Sequence, residues 1–165
     1  MLDIRHILVP IDLHEHAEAL AEVALTMSTK LGAARTTFLH VTPHLLDLSD
    51  YKEDTLAQLE TAFRAHAEEK MAAFLATVKG RGSNLESVVT RGDTADAILA
   101  YAREQNVDLI IIATHGTQGL EKVLLGSVAD RVIKGAPCPT LVFNPFNKAR
   151  GYEVCKPLSS CVQTV

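Results

Sequence analysis

Two short apolar runs restrict the folds open to this chain more than anything else in it. Ile4 to Val9 is apolar from Ile7 onward, and Leu109-Ile110-Ile111-Ile112 is apolar throughout. Both have the length and β-branched content of strands covered on two faces, the usual condition in a parallel sheet. Further strand-like segments at Arg35–Val41, Leu85–Thr90 and Thr140–Phe143 are separated by stretches of helical periodicity. Strand, helix, strand in regular succession calls for crossover connections, so the pattern predicts an α/β fold with a three-layer, open, mostly parallel five-stranded sheet.

The helices follow from spacing. Between Glu15 and Leu31, Ala17, Leu20, Ala21, Ala24, Leu25, Met27, Ser28 and Leu31 recur at helical intervals, and Gly32 supplies the stop. His14 and His16 then read as solvated first-turn residues. Residues 42–54, with Asp47, Asp50, Glu53 and Asp54, read as a solvated acidic loop. A helix from Thr55 to about Lys79 carries Leu56, Leu59, Phe63, Ala67, Met71, Phe74 and Val78 in steps of three and four, which predicts a core stripe against the sheet. Gly80 and Gly82 break it. Arg91-Gly92-Asp93-Thr94 leads into a helix with Ala97, Ile98, Tyr101 and Ala102 on its inner face, capped by Asp93 or Thr94. In such a setting Arg-Gly-Asp reads as a turn and cap, not as an integrin ligand. Beyond Asn144 no period is visible, so 1–144 reads as the domain and 145–165 as a C-terminal extension.

Chemistry concentrates after the fourth strand, Asp108–Ile112. There a glycine-bearing loop runs from Ala113 through Gly116 to Gly126-Ser127 and opens a helix at Val128. Glycine lets main-chain N–H groups approach an anion, and a helix start adds unpaired donors and the positive end of its dipole. The same residues also suit a plain turn. No Walker lysine follows Gly126 and no G-x-G-x-x-G is present, so neither the P-loop nor the dinucleotide fingerprint applies. Pro10-Ile11-Asp12 closes the first strand, and Asp12 sits just past its carboxyl end, where open α/β sheets place ligand groups; capping the next helix is the other role open to it.

Of the 165 residues, 47% are hydrophobic and 22% charged, with a net charge of −4. The length suits one domain with a substantial core. The acidic balance argues against nucleic acid held on a basic surface. Met1 to His6 lacks the basic and apolar regions of a secretory signal, and no apolar run reaches membrane-spanning length, so no membrane association is expected. Cys138, Cys155 and Cys161 form an odd set without a C-x-x-C, which points to a reducing cytoplasm and no metal cluster.

The element order, together with Ile7-Leu8-Val9-Pro10-Ile11-Asp12, His40-Val41, Gly92-Asp93, Asp108-Leu109-Ile110 and Gly126-Ser127, closely resembles the universal stress protein family over about residues 3–144. In its nucleotide-binding branch the loop is written G-x2-G-x9-G-[S/T]. Here the corresponding residues are Ala113, Gly116, Gly126 and Ser127, so three of four positions agree. The resemblance implies strand order 3-2-1-4-5 with helices on both faces, and a crevice between the first and fourth strands. It further implies ATP in that crevice, adenine beside the main chain of Val41, ribose hydroxyls on Asp12, and Pro10 and Ile11 alongside. Ala113, Gly116, Gly126, Ser127 and Val128 would hold the phosphates, with a magnesium ion bridging phosphate oxygens when present. Family members usually dimerise through the last strand, here Pro139 to Phe143.

These features point to a cytoplasmic stress-response or regulatory protein that binds an adenine nucleotide and works as a sensor or interaction module toward an unidentified protein partner. A dimeric scaffold with a vestigial nucleotide site is the alternative, and a slow ATP hydrolase the weaker third. The sequence offers no catalytic residue: no nucleophile stands beside a base, and no lysine or arginine faces the phosphates.

Overall fold

The computed structural model of the chain describes residues 3–14, 16–42, 53–80, 84–114 and 125–145. Nine elements follow one another: β1 (His6–Pro10), α1 (Ala17–Leu31), β2 (Arg35–Thr42), α2 (Glu53–Val78), β3 (Leu85–Arg91), α3 (Thr94–Glu104), β4 (Leu109–Ala113), α4 (Ser127–Gly135) and β5 (Thr140–Phe143). The strands form one sheet in the order β3-β2-β1-β4-β5, and every pairing is parallel. β1 is central and wholly buried, as its apolar run requires.

Alternation along each strand sends side chains to two separate cores. Ile7, Val9, Phe38 and Ile111 face α1 and α2, where they meet Leu20, Ala24, Met71 and Phe74. Leu8, Leu39, Ile110 and Ile112 face α3 and α4, against Ile98, Ala102, Ala129 and Val132. The Phe38 and Phe74 rings meet edge to face at 5.2 Å and 81°, locking α2 onto β2.

Helix ends obey local chemistry. Gly32 closes α1 in the left-handed region at φ 67, with its amide bonded back to the last turn. Asp93 caps α3 by accepting the Asp96 amide at 3.0 Å, so Arg-Gly-Asp is indeed a turn and cap. Cys138 is half-buried and not in a disulfide. Burial pushes its thiol up, which keeps it protonated and unreactive at neutral pH. Cys155 and Cys161 lie outside the described residues. Among the described residues no helix is long and apolar enough to cross a membrane.

Four expectations need correction. α1 begins at Ala17, whose amide bonds the carbonyl of His14; Glu15, the expected start, lies outside the described residues. His14 therefore precedes the helix, and His16 sits half-buried at its cap position instead of in a solvated first turn. α2 begins at Glu53, inside the stretch read as loop. Of its stripe, Ala67, Met71, Phe74 and Val78 are core, whereas Leu59 and Phe63 are 39% and 53% exposed; the side chain of Leu56 lies outside the described residues. The reason is length: at about 1.5 Å per residue a 26-residue helix outruns the eight-residue β2 it packs on, so its first turns overhang the carboxyl end of the sheet.

Candidate functional site

β1 and β4 are neighbours in the sheet, yet the chain leaves them in opposite directions. β1 feeds α1 on one face; β4 leads to α4 on the other. A crevice opens at the carboxyl ends of strands where the winding reverses in this way. The register pairs Leu8 with Ile110; carried four residues on, it sets Asp12 level with Thr114. The two segments singled out in the sequence, about a hundred residues apart, thus end side by side.

On the β1 side the main chain of Ile11 is fully committed. Its amide donates to Leu39 at 2.9 Å, and its carbonyl accepts the Nδ1–H of His40 at 2.8 Å. The Ile11 side chain and Pro10 are buried, so these two residues build the turn. Asp12 follows, half-buried, with Oδ1 accepting the amide of His14 at 3.1 Å. That bond spans Leu13, which adopts φ 61, a left-handed conformation few leucines adopt. Asp12 therefore shapes its own turn and does not cap α1, whose cap position is His16 with no side-chain capping bond. Its second oxygen, Oδ2, has no protein partner among the described residues and remains an acceptor.

On the β4 side, Thr114 holds the loop closed at its base: its amide donates to Phe143 and its carbonyl accepts the amide of Gly126, both at 2.8 Å. Gly126, the N-cap of α4, has no side chain to cap the helix. The amides of Ser127, Val128 and Ala129 begin the helix and lack intrahelical acceptors. Gly126 itself sits at φ −60, ψ 149, a conformation open to any residue, so the turn does not need glycine there. Ala113 is not among the residues with positive φ, and its methyl packs against the α1/α2 core. Replacing the motif's first glycine is thereby tolerated by the backbone. Gly116 lies outside the described residues, as do His115 and Thr117.

Val41 is 9% exposed and points its side chain into the α3/α4 core, which leaves only its main chain to meet a ligand. Beside Asp12 a cavity of about 760 Å³ runs beneath the overhang of α2, between Asp12, His40, Thr42, Phe63, Lys70 and Arg91. Arg91 pairs with Glu60 across it. Val41, Ala113, Gly126, Ser127 and Val128 do not line this cavity; Val41 ends β2 on the other side of β1, and the remaining four belong to the β4 side of the crevice. Among the described residues no group of three His, Cys, Asp or Glu converges as metal ligands.

Two participants escaped the sequence reading. His40 fastens the Ile11 turn, and Thr114 fastens the loop. Both are visible only through register, since each acts on a residue that its own sequence neighbourhood does not reveal.

A doubly wound parallel sheet with an uncapped helix start and a free carboxylate oxygen across its switch point defines a class: α/β proteins with a crevice suited to a polar, anionic ligand. The chain belongs to the universal stress protein family, whose sequence profile it matches over residues 3–144. It is 31% identical to universal stress protein YxiE of Bacillus subtilis over 73% of this chain and 72% of that one. Against universal stress protein MJ0531 of Methanocaldococcus jannaschii it is 46% identical, but over only 37% of this chain and 36% of the relative. MJ0577 of the same archaeon is 27% identical in sequence across 87% of this chain and 96% of its own length. Its solved structure superposes with a TM-score of 0.75, covering 88% of this chain and 99% of that one at 28% identity. More distant universal stress proteins, 16–18% identical with TM-scores of 0.56–0.58, were solved in complex with cAMP, dAMP and AMP; they cover 85–86% of this chain and 91–98% of their own. At that identity the likeness is one of fold.

Proposed function

We propose that this protein binds an adenine nucleotide, ATP in the cell, at the β1/β4 crevice and signals through the difference between its loaded and empty states. The observation that carries the reading is the pairing of a free Asp12 Oδ2 with the uncapped start of α4 across one crevice. A carboxylate oxygen suits the two hydroxyl donors of a ribose, and main-chain N–H groups with a helix dipole suit phosphate. Ser127, Val128 and Ala129 supply those amides, whereas the amide of Gly126 is spent on Thr114. The main chain of Val41 reads the base. Adenine nucleotides in distant relatives of the same fold support the choice of ligand.

With no cluster of protein ligands among the described residues, a magnesium ion would be held by the phosphates. No chemical step is assigned to the site: the protein binds and reports. It works in the cytoplasm as a homodimer joined through β5, the edge strand nearest the crevice, on which Val142 is 40% exposed. The loaded surface, not turnover, is what a partner protein would read.

Titration calorimetry with ATP and AMP, with and without magnesium, tests the proposal. The expected result is saturable binding in the parent protein and none in Gly126→Val, whose backbone angles tolerate the substitution. Binding that survives Gly126→Val would remove the β4 side from the site. No binding of either nucleotide by the parent leaves the dimeric scaffold.

A further inference from the structure

The amino ends of the strands, opposite the crevice, hold a buried polar cluster that nucleotide binding does not use. His6 opens β1 and is 4% exposed. Its Nε2 lies 2.9 Å from Thr37 Oγ1. Its Nδ1 lies 2.8 Å from Nη2 of Arg35 and 3.3 Å from the carbonyl oxygen of Gln105. These contacts select one tautomer. A guanidinium can only donate, so Nδ1 presents its lone pair to Arg35, and Nε2 carries the proton and donates it to Thr37. In that state the Gln105 carbonyl faces a nitrogen with no hydrogen to give.

Charged groups surround the ring from each packed element. Arg35 comes from β2. Glu86 on β3 brings its carboxylate 3.8 Å from the Arg35 guanidinium. Asp108, just before β4, accepts the amides of Arg5 and His6 through one oxygen, each at 2.9 Å. Arg5 directs its own side chain away, to Asp3 at the exposed edge. A second arrangement is therefore already within reach. A proton from solvent on Nδ1 would abolish its acceptor role toward Arg35, put two cations against each other, and offer an N–H to Gln105.

We propose that His6 is a proton-operated clamp: neutral, it holds Arg35 at the amino edge of the sheet; protonated, it releases Arg35 to Glu86 and turns to the carbonyl of Gln105. Gln105 is the C-cap of α3, so the exchange acts on the corner joining α3 to β4. Burial holds His6 below the ordinary imidazole value, and the Arg35 charge works in the same direction, against the opposing pull of the Gln105 carbonyl, Glu86 and Asp108. The exchange consequently belongs to acid conditions. The unfolded chain takes up the proton first, so the stability held by the neutral clamp is complete above the ordinary histidine pKa and is lost as pH falls below it.

Nitrogen NMR of histidine- and arginine-labelled protein, titrated between about pH 8 and pH 5, tests this. At the alkaline end His6 should show a bare Nδ1 and a protonated Nε2; the opposite tautomer overturns the proposal. The Arg35 side-chain signals should shift with the same midpoint as the His6 ring, and an Arg35 indifferent to that titration also overturns it. Arg35→Gln should raise the His6 midpoint, and an unchanged midpoint counts against the clamp. His6→Gln should flatten the acid limb of the thermal midpoint. Should that variant fail to fold, the tautomer and the paired titration in the parent protein still decide the matter.

Discussion

The Nδ1–H of His40 donates to the carbonyl oxygen of Ile11 at 2.8 Å, joining the end of β2 to the turn that presents Asp12. The bond holds the β1 lip of the crevice from the neighbouring strand. Removing it in His40→Ala should cost about 1 kcal/mol of nucleotide binding, roughly fivefold in affinity, the usual net value of one neutral hydrogen bond. Calorimetry would read the change. Unaltered affinity would mean that the turn keeps its shape without the histidine.

Asp12 divides its two oxygens between turn and ligand, and two substitutions separate those duties. In Asp12→Asn an amide oxygen can still accept the His14 amide while the acceptor toward ribose becomes a donor. That variant should keep its unfolding midpoint and lose about 1.5–3 kcal/mol of nucleotide affinity, the range for hydrogen bonds to charged groups. Asp12→Ala should lose both, because Leu13 at φ 61 then lacks the bond that spans it. Equal nucleotide affinity in the Asp12→Asn variant and the parent would refute the ribose assignment.

Phe63 and Phe74 sit in one helical stripe but differ in burial, at 53% and 8% exposed. Phe74→Ala opens a cavity beneath Phe38 and should cost about 3–5 kcal/mol in urea denaturation. Phe63→Ala should stay within about 0.5 kcal/mol of the parent, as surface changes do. Comparable losses at both positions would restore the longer core stripe.

Arg131 on α4 reaches Asp93 at 2.9 Å and Asp96 at 2.8 Å, tying the start of α3 to the middle of α4. Asp93 does more, since it also caps α3. Asp93→Ala should therefore destabilise the fold more than Asp96→Ala, as read by chemical denaturation. The Arg131 guanidinium, with the Asp96 amide adding to it, holds the Asp93 carboxyl below its ordinary value of 3.8. A depressed carboxylate contributes stability that is whole above that value and is lost as pH falls through the lower, folded-state one. Asp93→Ala should thus reduce the acid sensitivity of unfolding in that window. An unchanged acid limb would show the pair to be fully screened by solvent.

Val142 stands exposed on β5, the edge strand beyond β4. If copies of the chain meet there, Val142→Asp places like charges in the joint and should shift the protein from dimer to monomer in sedimentation while leaving ATP binding in place. A monomeric parent, or a dimer indifferent to this change, would set the interface elsewhere.

Much of this architecture can be read from the chain alone because burial leaves a local signature. The apolar run at Leu109–Ile112 requires cover on both faces, Gly32 ends a helix that no other residue would end so readily, and Asp93 caps the helix that follows it; each depends on neighbours within a few positions. The tertiary structure decided what depends on distant partners or on relative length. The overhang of α2 appears only when 26 residues are laid beside eight, so a stripe that is periodic in sequence loses its cover halfway. His6 reads as one more residue of an apolar strand until register brings Arg35, Thr37 and Gln105 around its ring. Likewise, glycine at position 126 suits an amide held against an anion or a plain turn, while its φ of −60 and an amide already given to Thr114 show that the backbone does not require glycine there. Periodicity and capping are properties of the sequence; which polar atoms remain free to meet a ligand is set only once the strands are in register.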